Sequence, residues 1–332
     1  MRFRSVPHVL SPATMYIVRY SLFIVHLIII LNSKLLILNC SAQQTSLSSL
    51  SGFNHLLINP AFAGNKNEIQ TCLTYRNYLT GIEGAPTTQT LTIHAPIQSK
   101  YLGVGVKVIH ETIGVANQID FEPVVSYYLG LGQGRLAFAL EGGFLHENIS
   151  WQDLIKTNPV DNAIPQLAKS KFFPDAGFGM FYNTSKFFVG FSVTHLIRAK
   201  FNYSDIKSVD PGFLAKHYYI EAGYNYALGK YLSVEPSLLL KKAIAAPVQI
   251  DIGAKCNFKN LVSAGIFWRS GDALYFPVRL MINNKYSIAY AYDLRVSKLA
   301  TYSQGSHEIM LNFNYQLLEP ARKKVINPRY YF

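Results

Sequence analysis

Charge is in short supply in this chain. Asp, Glu, Lys and Arg make up 15% of its 332 residues, where soluble domains usually carry about 25%. Cysteine is nearly absent, with only Cys40, Cys72 and Cys256. No CxxC pair or Cys/His metal spacing exists. Cys72 and Cys256 fall on opposite parities of their expected strands, so a disulfide between them is not expected. Beyond the first 42 residues there is no run of about 18 apolar residues, which excludes a bundle of spanning helices. A basic cluster is also lacking in the body. The formal charge of +12 includes Arg2, Arg4, Arg19 and Lys34; without these four, 27 basic residues stand against 19 acidic ones, a net +8 spread along the chain. That spread argues against a nucleic-acid partner, which would need a stripe or patch. It suits a surface meeting the anionic headgroups of outer-membrane lipids.

Aromatic residues, by contrast, are plentiful, with 22 Tyr and 21 Phe. Girdles of aromatic side chains at two membrane interfaces account for such an excess. The leader combines a basic start, an apolar run over 15–42 and a small-residue end at Ser41-Ala42. These are the parts of a secretory signal, expected to be removed before Gln43, with Met15 as an alternative start. An uncleaved anchor is a second reading. A lipoprotein signal ending at Cys40 lacks the small residue expected before that cysteine.

From about residue 69 the chain alternates apolar and polar side chains with period 2. In 248–258, Val248, Ile250, Ile252, Ala254 and Phe258 share one face, and Gln249, Asp251, Lys255 and Asn257 share the other. The same pattern recurs in 218–228, 286–293 and 308–317. Strands are expected at 69–80, 87–97, 101–111, 117–131, 134–150, 173–183, 186–196, 216–228, 231–242, 247–258, 260–269, 274–283, 286–296 and 305–317. Connections after even-numbered strands are short, and those after odd-numbered strands are longer, notably 151–172, 197–215 and 297–304. Short periplasmic turns and long outer loops are the signature of a transmembrane barrel. The expected fold is therefore all-β: an antiparallel up-and-down barrel of about 14 strands in a bacterial outer membrane, covering 69–318. Residues 43–68 would form a periplasmic or plug segment, and 319–332 a periplasmic tail. Glu141, Glu221, Glu235, Asp251, Lys107, Lys255, Arg269 and Arg279 share the inward parity, where charges avoid the lipid and can pair across strands.

Chemical motifs are scarce. Gly130-Leu131-Gly132-Gln133-Gly134 joins two strands, so it reads as a hairpin turn and not as a phosphate loop, which must open a helix. His94, His110, His146, His195, His217 and His307 are scattered without metal-ligand spacing. No catalytic constellation stands out, although Ser306-His307 leaves a rim enzyme as an alternative. The chain reads as a non-enzyme without cofactor or metal, and an outer-membrane porin or small-solute transporter is the competing function.

Three segments are more specific than periodicity. They are Ile58-Asn59-Pro60-Ala61-Phe62-Ala63-Gly64, then Tyr75-Arg76-Asn77 with Gly84-Ala85-Pro86-Thr87-Thr88, and finally Gly305-Ser306-His307-Glu308-Ile309. In this order they resemble the PorP/SprF family of type IX secretion system membrane proteins of Bacteroidetes, over about 45–332. Asn77-Tyr78 stands where the family often has Gln-Trp, and the aromatic ending lacks a cysteine.

The resemblance implies an outer-membrane component that assists secretion or surface attachment of cargo adhesins bearing C-terminal sorting domains, with links to gliding motility. The implied partners are other type IX components, the cargo, and periplasmic ring or motor-linked proteins. On physical grounds Asn59-Pro60 should form a rigid turn, Gly64 a position of positive φ, and Arg76 and Glu308 a pair across the seam of first and last strands. The tail, with Arg322, Lys323, Lys324, Arg329 and Phe332, is the expected contact for a periplasmic partner.

Overall fold

The computed structural model describes residues 47–97, 101–154, 168–197, 199–201, 212–244 and 246–317. The leader and the tail, including Arg322, Lys323, Lys324, Arg329 and Phe332, lie outside the described residues.

Fourteen strands form one barrel. They are β1 (Glu68–Asn77), β2 (Thr87–Ile97), β3 (Leu102–Ile113), β4 (Ala116–Leu131), β5 (Gly134–Ile149), β6 (Lys169–Asn183), β7 (Phe187–Thr194), β8 (His217–Tyr224), β9 (Leu232–Ala243), β10 (Gln249–Phe258), β11 (Val262–Arg269), β12 (Ala273–Met281), β13 (Tyr286–Arg295) and β14 (Ser306–Gln316). Tyr226–Ala227 continues β8 beyond a break at Asn225. Each strand pairs antiparallel with its sequence neighbours, and β1 pairs with β14. Closure leaves no edge, so the backbone groups in the lipid are satisfied within the sheet.

Parity decides which side chains meet lipid. In β10, Gln249, Asp251 and Lys255 are buried while Ile252, Cys256 and Phe258 are exposed. Cys72 of β1 is buried and Cys256 is exposed, both as free thiols. All eight charged side chains expected to point inward are buried or half-buried.

Three details differ from the sequence reading. β6 starts at Lys169, four residues early, because Lys169–Phe172 continue the ladder opposite His146–Ile149 of β5. β1 stops at Asn77, because Leu79 takes φ 56° and Thr80 instead pairs with Gln304 and Gly305. Not every odd connection is long: β3 and β4 are joined by Gly114-Val115 alone, with Gly114 at φ 54°, and β11 and β12 by three residues.

The lumen is occupied. Residues 47–66 run inside the barrel as a plug built on three short 3-10 turns, Ser51–Phe53, His55–Leu57 and Pro60–Phe62. Leu56, Ala61, Phe62 and Ala63 pack on Val124, Ala137, Ala139 and Phe181 of β4, β5 and β6. Leu50 and Phe53 pack on Cys72, Ala289, Ala291 and Met310 of β1, β13 and β14. Leu47 and Ile58 reach Tyr219 and Leu239 of β8 and β9. The interior is therefore not uniformly polar: in these three patches the inward positions that meet the plug are largely apolar. Burying a large apolar side chain contributes about 1.5–3 kcal/mol, so these contacts hold the plug from several sides.

Candidate functional site

Plug residues 58–64 adopt their shape for local reasons. A proline biases its predecessor to extended backbone, and Asn59 sits at φ −132°, ψ 111°. Its Oδ1 then accepts the Ala61 N–H at 3.0 Å, capping the turn that Pro60 opens. The Asn59 amide also donates to the carbonyl of Met180 on β6 at 2.9 Å. Ser192 Oγ donates to the Ile58 carbonyl at 2.7 Å, and Ser126 Oγ to the Ala63 carbonyl at 2.6 Å. Phe62 meets the rings of Phe181 and His94 edge-on, with centroids 5.5 and 5.7 Å apart. Gly64 has φ 68° and lies against Gly103 of β3, where a Cβ on Gly103 would fall 2.2 Å from the Ala63 carbonyl. Backbone meets backbone here because neither position carries a side chain.

The seam is the second part of the site. Arg76 of β1 stands opposite Glu308 of β14. Its guanidinium donates to Glu308 Oε2 at 2.5 Å and to Asp293 Oδ2 of β13 at 2.7 Å. The expected Arg76–Glu308 pair is thus present, with Asp293 as an additional anion. Glu308 also accepts the Ser49 N–H at 2.8 Å and the Ser48 hydroxyl. The seam charge thereby holds the start of the plug as well as the last strand.

From Asp293 the network continues to Arg269 at 3.5 Å, and Arg269 binds Asp251 at 2.9 Å. Arg295 pairs with Asp272 and donates to Ser306 Oγ at 2.6 Å and to the Tyr78 hydroxyl at 3.0 Å. Separate pairs occupy other parts of the interior: Lys107 lies 2.7 Å from both Glu122 and Glu141, His55 of the plug lies 2.7 Å from Glu221 of β8, and His195 lies 2.6 Å from Asp175.

The remaining motif residues gather at the loop end of the same seam. Gly84 accepts from the Gly114 N–H at 2.9 Å, and Pro86 accepts from Tyr78 at 3.0 Å, with Ala85 between them folded back on Ile82. Gly305 has φ 98° and bonds Thr80, and Ser306 Oγ accepts the Leu79 N–H at 2.9 Å. His307 is separate. It points outward, where its ring meets the Tyr290 hydroxyl at 2.7 Å, whereas Ser306 points inward. Ser306 and His307 therefore lie on opposite faces of β14 and do not form a catalytic pair.

Sequence reasoning missed His55, Ser48, Ser49, Ser126, Ser192 and Asp293. Each is an ordinary residue on a strand or in the plug; the seating of the plug selects the first five, and the pairing with Arg76 and Arg269 selects Asp293.

A closed 14-strand antiparallel barrel with an apolar outer belt and paired charges inside is an outer-membrane β-barrel, here one whose lumen holds residues of its own N-terminal segment. The sequence model of the family described as type IX secretion system membrane protein PorP/SprF matches residues 39–313, and the chain belongs to that family. Among solved structures, it is similar to the Acinetobacter baumannii outer membrane protein Omp33 at 11% identity, covering 75% of this chain and 97% of that one, with a TM-score of 0.42. A Pseudomonas aeruginosa FadL homologue gives 10% identity, 75% and 88% coverage and a TM-score of 0.38. The translocator domain of the autotransporter NalP from Neisseria meningitidis gives 11%, 75%, 87% and 0.36. No match was found among curated proteins.

Proposed function

We propose that this barrel is a non-enzymatic scaffold of type IX secretion, which assists secretion or surface attachment of cargo bearing a C-terminal sorting domain. It works without conducting solutes or polypeptide through its own lumen. The observation that carries this reading is the plug, which packs on β1, β4–β6, β8, β9, β13 and β14 and hydrogen-bonds to β4, β6 and β7. A diffusion pore needs a water-filled path, and a plug fixed this way argues against one. Partners would then bind the rims. The tail over 319–332 is the segment we assign to a periplasmic ring or motor-linked partner.

The test is a host strain lacking this protein. Complementation with the full chain restores surface-attached or released cargo, measured by fractionation, while the barrel without residues 320–332 assembles but leaves cargo in the periplasm. Normal cargo export in the strain lacking the protein overturns the secretion role. Normal export with the truncated chain removes the tail from it.

A further inference from the structure

The positive charges of the lumen are not evenly compensated. Near the loop end, Arg76, Arg269 and Arg295 each have a carboxylate partner. At the short-turn end, beside the plug, lies a cavity of about 310 Å³ lined by Lys66, Lys186, Lys255 and Arg279 and by one carboxylate, Glu235; Lys66 also pairs with Glu68 at 3.7 Å. That volume falls in the roughly 300–1,000 Å³ range of ligand sites. Lys255 pairs with Glu235 at 2.9 Å. Arg279 has no carboxylate partner among the described residues. Its one hydrogen bond goes to Ser263 Oγ at 3.3 Å, and its Nε is buried without a partner. A guanidinium held this way is costly unless an anion meets it.

Two more features narrow the ligand. The cavity has an aromatic floor: Phe53 of the plug lies under both Arg279 and Lys255, with the cations 4.7 and 5.2 Å from the ring centroid, and Phe188 of β7 adds a second ring. Its rim carries the side-chain amides of Asn183, Asn225 and Asn257, which can donate and accept along a peptide backbone. The strands fence the site from the bilayer, so a lipid headgroup does not reach it with its chains in place.

We infer that this vestibule is a binding site for a carboxylate-bearing peptide segment with an aromatic or apolar residue beside the acid, the acid meeting Arg279 and Lys186 and the apolar residue meeting Phe53 and Phe188. The site needs only the barrel and its plug, and it stands whether or not the chain acts in cargo export. Arg279 is the selective group because a planar fork pairs with a carboxylate through two hydrogen bonds.

The experiment uses the full chain in detergent micelles and isothermal titration calorimetry with two peptides, acetyl-Phe-Glu-Glu-Phe-amide and its glutamine counterpart acetyl-Phe-Gln-Gln-Phe-amide. The glutamate peptide binds at least about tenfold tighter than the glutamine peptide. Arg279→Gln and Lys186→Gln each weaken the glutamate peptide, with Arg279→Gln the larger loss at about tenfold. Lys186 lies on an exposed turn, so that variant reports binding even if Arg279→Gln impairs folding. Equal affinity for both peptides overturns the proposal. So does an affinity unchanged in both variants, or displacement of the peptide by an equal concentration of inorganic phosphate.

Discussion

Arg76 neutralises two carboxylates at once, one on the last strand and one on the strand before it. A buried ion pair contributes little net stability beside a well-packed apolar substitute, but removing one partner is expensive. Arg76→Met leaves buried Glu308 without a cation and Asp293 with only the longer contact to Arg269. The expected loss is about 3–5 kcal/mol, read as a lower urea midpoint for the barrel in lipid vesicles. Arg76→Lys keeps the charge but not the two-pronged geometry, so its midpoint falls between the two. Asn59 is a second such residue. Asn59→Ala removes a cap worth about 1 kcal/mol and leaves the Met180 carbonyl without its side-chain donor. It should lower the same midpoint by a smaller step than Arg76→Met.

The elements divide into wall and plug, and they were legible to different degrees. The wall could be read from the sequence because burial follows a strict period of 2, so β10 shows its two faces in ten residues. That parity has a direct test: Ile252→Arg puts a charge on the half-exposed outer face and should cost about 2–4 kcal/mol if the residue lies near the bilayer midplane. Folding yield into vesicles would fall, while Ile252→Val would leave it unchanged.

The plug was legible only as a turn and a length. Its partners are single inward residues such as Ser126, Ser192 and Gly103, scattered over separate strands, and no local pattern marks them. The early start of β6 was hidden for a related reason: Lys169-Ser170-Lys171 reads as loop until its pairing with β5 is seen. Gly103→Ala tests the seating of the plug, since the new methyl would collide with the Ala63 carbonyl. Overpacking of this kind costs about 1–3 kcal/mol. Part of the protein should then sit unplugged, and sugar-driven swelling of liposomes should rise above the wild-type level.

At the scale of the whole molecule, the intact chain in liposomes should show no swelling with small sugars, whereas a chain lacking residues 48–66 should swell if it inserts. The seam carries a consequence for biogenesis. The first strand brings a cation and the N-terminal segment brings the Ser49 N–H and the Ser48 hydroxyl, and all three meet on Glu308 of the fourteenth strand. A ribosome product cut short before Ser306 would leave Arg76 with Asp293 alone and Ser49 without Glu308. Completeness is thus inspected by the protein's own chemistry, and a truncated copy would stay an open, proteolysis-prone intermediate instead of locking shut.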